Sequence, residues 1–265
     1  MAGVVSMVLF AWMLRGRGSR TVAAAIAEQQ WLPVLLATCL FVPLIGAPGS
    51  GPARWLLLGS IRLYLAPIIL PLVLFQLGAS RQVPSLFVTT VIAVALALLL
   101  QPDASQLTAF ALAMTPVVQF TGAFAPGRGA FAPERGGAAL PILARGGLAG
   151  MLLIGVIATW RLPDPLAPVP YVEGVFRLAA DVSPWALAAA VLSAVLPVAT
   201  LAHVARQNRS VGVLAVAVYL AGVFALAPLQ VTPVPLLGFG AGPILGYFLA
   251  AGLICHEMHR DPKTS

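Results

Sequence analysis

A helix that crosses a bilayer needs about 20 mostly apolar residues, and this chain offers eight such stretches in succession. They run over about 30–47, 60–78, 84–100, 106–124, 138–160, 184–204, 211–228 and 236–255. Residues 2–14 form a ninth apolar run, too short to span comfortably, which lies in the interface or is the remnant of a longer helix. Little is left to cover a water-exposed surface: 9% of the 265 residues are charged, against roughly 25% in a soluble domain. The expected fold class is all-α, a polytopic membrane helix bundle forming one transmembrane domain over residues 1–265. It has eight transmembrane helices, or nine if residues 2–14 cross. No cleavable signal is evident, because Arg15, Arg17 and Arg20 follow the first apolar run rather than precede it.

The basic residues orient the bundle. With the loop after residue 14 placed in the cytoplasm, alternating spans put the turns near 79–83, 125–137 and 205–210 inside, together with the C-terminal tail. These segments and their flanks hold Arg15, Arg17, Arg20, Arg81, Arg128, Arg135, Arg145, Arg206, Arg209, Arg260 and Lys263. The outer side keeps Arg54, Arg62, Arg161 and Arg177, along with Asp103, Asp164, Glu173 and Asp181. The net charge of +7 therefore reflects topology rather than nucleic-acid binding. The localisation expected is the inner membrane, multi-pass, with the C-terminus cytoplasmic.

Helix breakers at membrane depth must be buried in protein or line a polar cavity. Pro67, Pro71, Pro116, Pro141, Pro197 and Pro243 all fall in or near spans, as in kinked packing helices or around a cavity. Cys39 and Cys255 sit in apolar runs, which indicates packing rather than a disulfide or metal ligation. His203 ends a helix at the inner face, and His256 and His259 lie in the basic tail, so no metal site is expected. No phosphate-binding loop, dinucleotide fingerprint or Ser/His/Asp arrangement is present.

Candidate chemistry gathers at the outer ends of the spans, where an ion is costly unless it faces a cavity or a partner. Arg54 and Arg62 carry forks suited to phosphate or carboxylate, although Arg54 beside Trp55 also reads as an interfacial anchor. Arg62 lies deeper and needs a partner. Asp103, in the tight turn Gln101-Pro102-Asp103, either caps the next helix or faces a site. Asp181 and Ser183 before Pro184 read as a helix start. Glu173, in Tyr171-Val172-Glu173-Gly174-Val175-Phe176, is placed to act as a general base on a sugar hydroxyl or to pair with Arg177 or Arg161.

Read in order, these loops resemble the SEDS family (shape, elongation, division and sporulation proteins, with FtsW and RodA). Gly51-Pro52-Ala53-Arg54-Trp55 followed by Gly59 resembles the family's GAxRW…G segment, and Gln101-Pro102-Asp103 its QPD turn. Val172–Phe176, continuing through Ala179-Ala180-Asp181, resembles the segment that carries an essential Asp, aligned here with Glu173. Residues 228–243 are similar, without a gap, to the outer loop LPVTGxPLPFxSYGGSS. The resemblance implies a bundle of about ten helices around an outward-facing cavity that takes an undecaprenyl-linked glycan precursor (lipid II-like). It implies a partner, a penicillin-binding transpeptidase or a divisome protein, and no cofactor.

In that frame Glu173 is the catalytic base of a peptidoglycan glycosyltransferase, and Arg54 and Arg62 lie nearest the diphosphate. Asp103, Pro235, Gly238 and Gly240 complete the substrate site. The family's Ser-Glu…Lys stretch is replaced by Ala66-Pro67 and Leu70. In the last loop, hydroxyl-bearing residues give way to Gly238, Phe239, Gly242 and Pro243. Those losses set a second expectation beside the enzyme, a catalytically inactive scaffold for a division or elongation partner. A lipid or small-molecule transporter is the third.

Overall fold

The computed structural model describes residues 30–45, 53–58, 61–79, 84–120, 140–162, 169–238 and 240–258. The apolar run at 2–14, the basic loop at 125–137, Asp164 and the tail beyond 258 lie outside the described residues. Among the described residues ten helices and one hairpin follow in chain order. Helices α1 (Leu32–Cys39) and α2 (Val42–Ile45) precede the strands β1 (Trp55–Leu58) and β2 (Ile61–Tyr64). Then come α3 (Ala66–Ala79), α4 (Pro84–Leu100), α5 (Ala104–Phe120), α6 (Ile142–Trp160) and the short α7 (Val175–Val182). The chain ends in α8 (Pro184–Asn208), α9 (Val211–Leu226), a 3₁₀ turn (Ala227–Leu229) and α10 (Ala241–Met258).

Among the described residues three helices are long and apolar enough to cross a membrane: Ile142–Trp160, Pro184–Asn208 and Val211–Leu229. Those at Leu32–Ile45, Ala66–Ala79, Pro84–Leu100 and Ala241–His256 are apolar but shorter. The protein is thus a helical bundle with membrane-spanning character.

Two stretches expected to be continuous spans are interrupted. The run at 30–47 breaks between α1 and α2 at Leu40–Phe41. The run at 60–78 opens as a strand, Ile61–Tyr64, paired antiparallel with Trp55–Leu58 so that Trp55 faces Tyr64 and Leu57 faces Arg62. The residues between the strands are Gly59-Ser60, a pair suited to a two-residue hairpin turn. What remains for α3 is 14 residues.

Helix starts follow capping chemistry. The Ser183 hydroxyl accepts from the Ala186 N–H at 3.0 Å with Pro184 in the first turn, where its missing N–H costs nothing. The Ser210 hydroxyl accepts from the Val213 N–H at 3.3 Å. Between them Arg209 takes a left-handed conformation, φ 49°, which closes α8 and turns the chain directly into α9.

The core is centred on α9, which packs on α3, α5 and α8, while α3 also carries α10. Along α3, residues such as Leu70, Val73, Leu74 and Leu77 are fully buried, and they meet Val213, Val216 and Leu220 of α9 in one cluster. Gly78 and Gly212 let α3 and α9 touch backbone to backbone. A Cβ on Gly78 would strike the Gly212 nitrogen, and a Cβ on Gly212 would strike the Phe75 carbonyl oxygen. Small residues at such crossings are how helices associate where lipid removes the hydrophobic drive between them. Helices α6 and α8 are peripheral and bury few of their side chains, leaving Leu153, Ile154, Leu192 and Leu196 exposed.

Candidate functional site

The hairpin, the turn from α4 into α5, and the segment between α9 and α10 meet around a buried polar cluster. Arg54 enters from just before β1. Its Nε donates to the Gln101 carbonyl at 3.1 Å, and its Nη2 donates to the Pro102 carbonyl. The Gln101 side chain in turn donates to the Leu40 carbonyl. One guanidinium fork therefore holds the two carbonyls that an abrupt Gln-Pro turn leaves without helical partners.

Asp103 completes that turn. One carboxylate oxygen accepts from the Ser105 hydroxyl at 3.2 Å and from the Gln106 N–H at 3.3 Å. The other accepts from the Tyr64 hydroxyl at the end of β2. It is a helix cap, as Asp before an apolar run can be, with a tyrosine added. Burial raises the affinity of this carboxyl for its proton, and the nearby Arg54 opposes the shift, as do the bonds from Tyr64, Gln106 and Ser105. Arg54 is 7% exposed and Asp103 1%, so both are committed to the interior.

Gln106 carries the network across the bundle. Its Nε2 donates to the Thr232 hydroxyl at 3.1 Å, and its Oε1 accepts from the Tyr219 hydroxyl of α9 at 2.5 Å. Thr232 begins the loop that holds Pro233, Pro235, Gly238 and Gly240. Where Gln106 and Tyr219 meet Pro67, Pro71, Pro233 and Pro235, the free space is about 10 Å³, room for about one water molecule.

The same loop joins the segment of Glu173. The Val234 N–H donates to the Val172 carbonyl at 2.9 Å, and a Cβ on Gly238 would lie 2.7 Å from that carbonyl. No residue with a side chain fits at 238 without moving one loop off the other. Leu236 between them is left-handed, φ 64°, a conformation a branched side chain rarely takes. Gly240 stands beside Pro233 and Pro243. The Glu173 carboxylate folds back on its own turn, where it accepts from the Val169 N–H at 2.7 Å.

Among the expected site residues, Arg54 and Asp103 lie together, and Pro235 and Gly238 reach them through Thr232 and Gln106. Glu173 is joined to this assembly through the Val172 backbone. Arg62 is not part of it. The residue expected to lie deep and to need a partner is exposed on β2, because the segment is a hairpin at the end of the bundle rather than the first turn of a span. Tyr64, Gln106, Tyr219 and Thr232 were not anticipated as members. Their only sign in the sequence is a polar group inside an apolar run, which intramembrane cost alone marks as notable.

Among the described residues no group of His, Cys, Asp and Glu is arranged to hold a metal, and Cys39 and Cys255 are not joined in a disulfide. Compared with protein-family models, curated proteins and solved structures, the chain has no match.

Proposed function

We propose that this is a SEDS-type integral membrane protein of cell-wall assembly, division or shape that serves as a scaffold rather than as a glycan polymerase. The observation that carries this reading is the internal use of the groups a polymerase would turn toward substrate. Arg54 grips Gln101 and Pro102, Asp103 caps α5, and Glu173 closes its own turn. An arginine whose fork is filled by buried carbonyls does not hold a diphosphate. The Gln101-Pro102-Asp103 turn and the Thr232–Gly240 loop, the two segments most like the family's, are welded to each other through Gln106. That is what a retained architecture with relinquished chemistry would look like.

The reading carries the rest of the topology with it. Eight crossings, nine with residues 2–14, alternate from the cytoplasmic arginine loop to a cytoplasmic C-terminus. The outer ends of α3, α4, α5, α9 and α10 then gather at the polar cluster, below a face that would meet a lipid-linked glycan precursor and a penicillin-binding transpeptidase or other divisome partner. One observation favours the glycosyltransferase as a second reading. Glu173 is only half-buried, at the seam between its turn and the Val234–Gly238 loop, where a carboxylate is within reach of a sugar hydroxyl arriving from outside.

Polymerisation of purified lipid II by the protein, alone and with a candidate transpeptidase, separates the two. The scaffold yields no glycan strand and still co-purifies with its transpeptidase. Strands made by the wild type and lost about 10²–10⁴-fold in Glu173→Gln, as removal of a general base requires, would overturn it. Failure to bind any division or elongation transpeptidase would remove the scaffold as well.

A further inference from the structure

On the far side of α9 from the polar cluster, α7, α8 and the 3₁₀ turn enclose an open groove of about 690 Å³, within the range of small-molecule sites. Its walls are apolar: Phe176 of α7, Leu187 and Val191 of α8, Phe224 of α9 and Leu229. Arg177 is the charged side chain on its lining. Along α8 the groove runs from Leu187 to Val195, roughly 12 Å at 1.5 Å per residue. That is about two fifths of the roughly 30 Å hydrocarbon core of a bilayer.

The groove lies beside the end of α8 that carries exposed aromatic residues. Trp185 at the head of α8 is 84% exposed and Tyr171 is 63% exposed, the placement of aromatic residues at a headgroup level. Helix α7 buries none of its residues and is strongly two-sided, as a helix lying in the interface is. Farther along α8 the exposed Leu192, Val195 and Leu196 continue the groove into the surface that a bilayer covers. The cation thus stands at the headgroup end, with a hydrocarbon-lined trough leading inward from it. Asp181, one turn on along α7, is exposed and lies off the lining.

We propose that this groove holds an acyl chain of an anionic phospholipid from the surrounding bilayer, with the lipid phosphate on the Arg177 guanidinium. The order of chemistry along the groove is that of the lipid itself, charge outermost and apolar wall below. A spanning helix of a partner is a poorer occupant, because it needs a face about 30 Å long. The assignment is independent of the SEDS reading.

The test counts lipids on the delipidated full-length protein by native mass spectrometry during titration with phosphatidylglycerol or phosphatidylcholine. The wild type retains phosphatidylglycerol preferentially. Arg177→Gln lowers that preference about fivefold, the worth of one cation at an anionic surface. Val191→Trp, at a position 46% exposed, fills the trough and abolishes retention of the bound phosphatidylglycerol. Circular dichroism equal to wild type qualifies each variant, and Val195→Trp replaces Val191→Trp if helix is lost. Retention unchanged in the groove-filled variant, or equal retention of the two lipids by the wild type, overturns the proposal. So does a dimer that disappears in the groove-filled variant while lipid retention persists, since a second copy would then be the occupant.

Discussion

The two sides of α9 solve opposite problems. Toward α3 and α5 its C-terminal half lies against Tyr64, Asp103, Gln106 and Thr232, polar groups taken wholly out of solvent and matched donor to acceptor. Toward α8 it borders a trough walled mainly by hydrocarbon, and beyond it α8 shows leucine and valine to the outside. In water the second side would be the liability; in lipid it is the first. An unsatisfied polar group there has no water to fall back on, so every member of the cluster needs its partner, while the outer faces of α6 and α8 need none. Stability should therefore be concentrated at the polar cluster and nearly insensitive to the periphery.

The most severe way to test that contrast is Arg54→Ala. It strips two carbonyls of their donor and leaves the buried Asp103 without its nearest positive charge. Each buried acceptor left without its donor costs about 1–3 kcal/mol, so reversible unfolding in mixed micelles should show a loss of about 2–5 kcal/mol for the two. A loss below about 1 kcal/mol would mean water reaches the cluster. Next is Gly212→Ala, where the new methyl group meets the Phe75 carbonyl. Forcing α3 from α9 should cost about 1–3 kcal/mol, read in the same assay.

A smaller effect sharpens the electrostatics. Burial raises the folded-state proton affinity of Asp103 above that of the unfolded chain. Its contribution to stability is then fully present below the unfolded carboxyl value and is lost as pH rises through the folded one. Against Asp103→Asn as reference, the wild type should gain relative stability as pH falls from neutrality. A relative loss on acidification would show that Arg54 outweighs burial. The least change is expected at Ile154, 69% exposed on α6. Ile154→Ala should stay within about 0.5 kcal/mol, as for surface positions away from special features, whereas Leu107→Ala in the core should cost about 2–5 kcal/mol.

How far the sequence foretells this arrangement depends on what bounds each segment. Helices α4, α8 and α9 are legible because Pro84, Ser183-Pro184 and Ser210 punctuate apolar runs with known start signals. The hairpin is not, because Trp-Leu-Leu-Leu and Ile-Arg-Leu-Tyr continue the hydrophobicity of the span that follows. Hydrophobicity without period does not tell strand from helix, and the span expected over 60–78 took in the second strand. At the site, Asp103 as a cap was readable from its place before Ala104. The reach of Arg54 to residues 47 and 48 positions away was not, since nothing local encodes which turn a guanidinium will find. Gln106 and Tyr219 are 113 residues apart, and neither has a periodic partner to betray it.

The meeting of Gly78 with Gly212 also has a mechanical meaning. Where side chains intervene between two helices, a change of rotamer lets them roll or slide by small steps. Where peptide groups touch directly, there is no such gear. Helices α3 and α9 are pinned near one end of the bundle and tied at the other through Tyr64, Asp103, Gln106 and Tyr219, so they act as a rigid post. A rearrangement that keeps this post intact would move the little-buried α6, α7 and α8 around it.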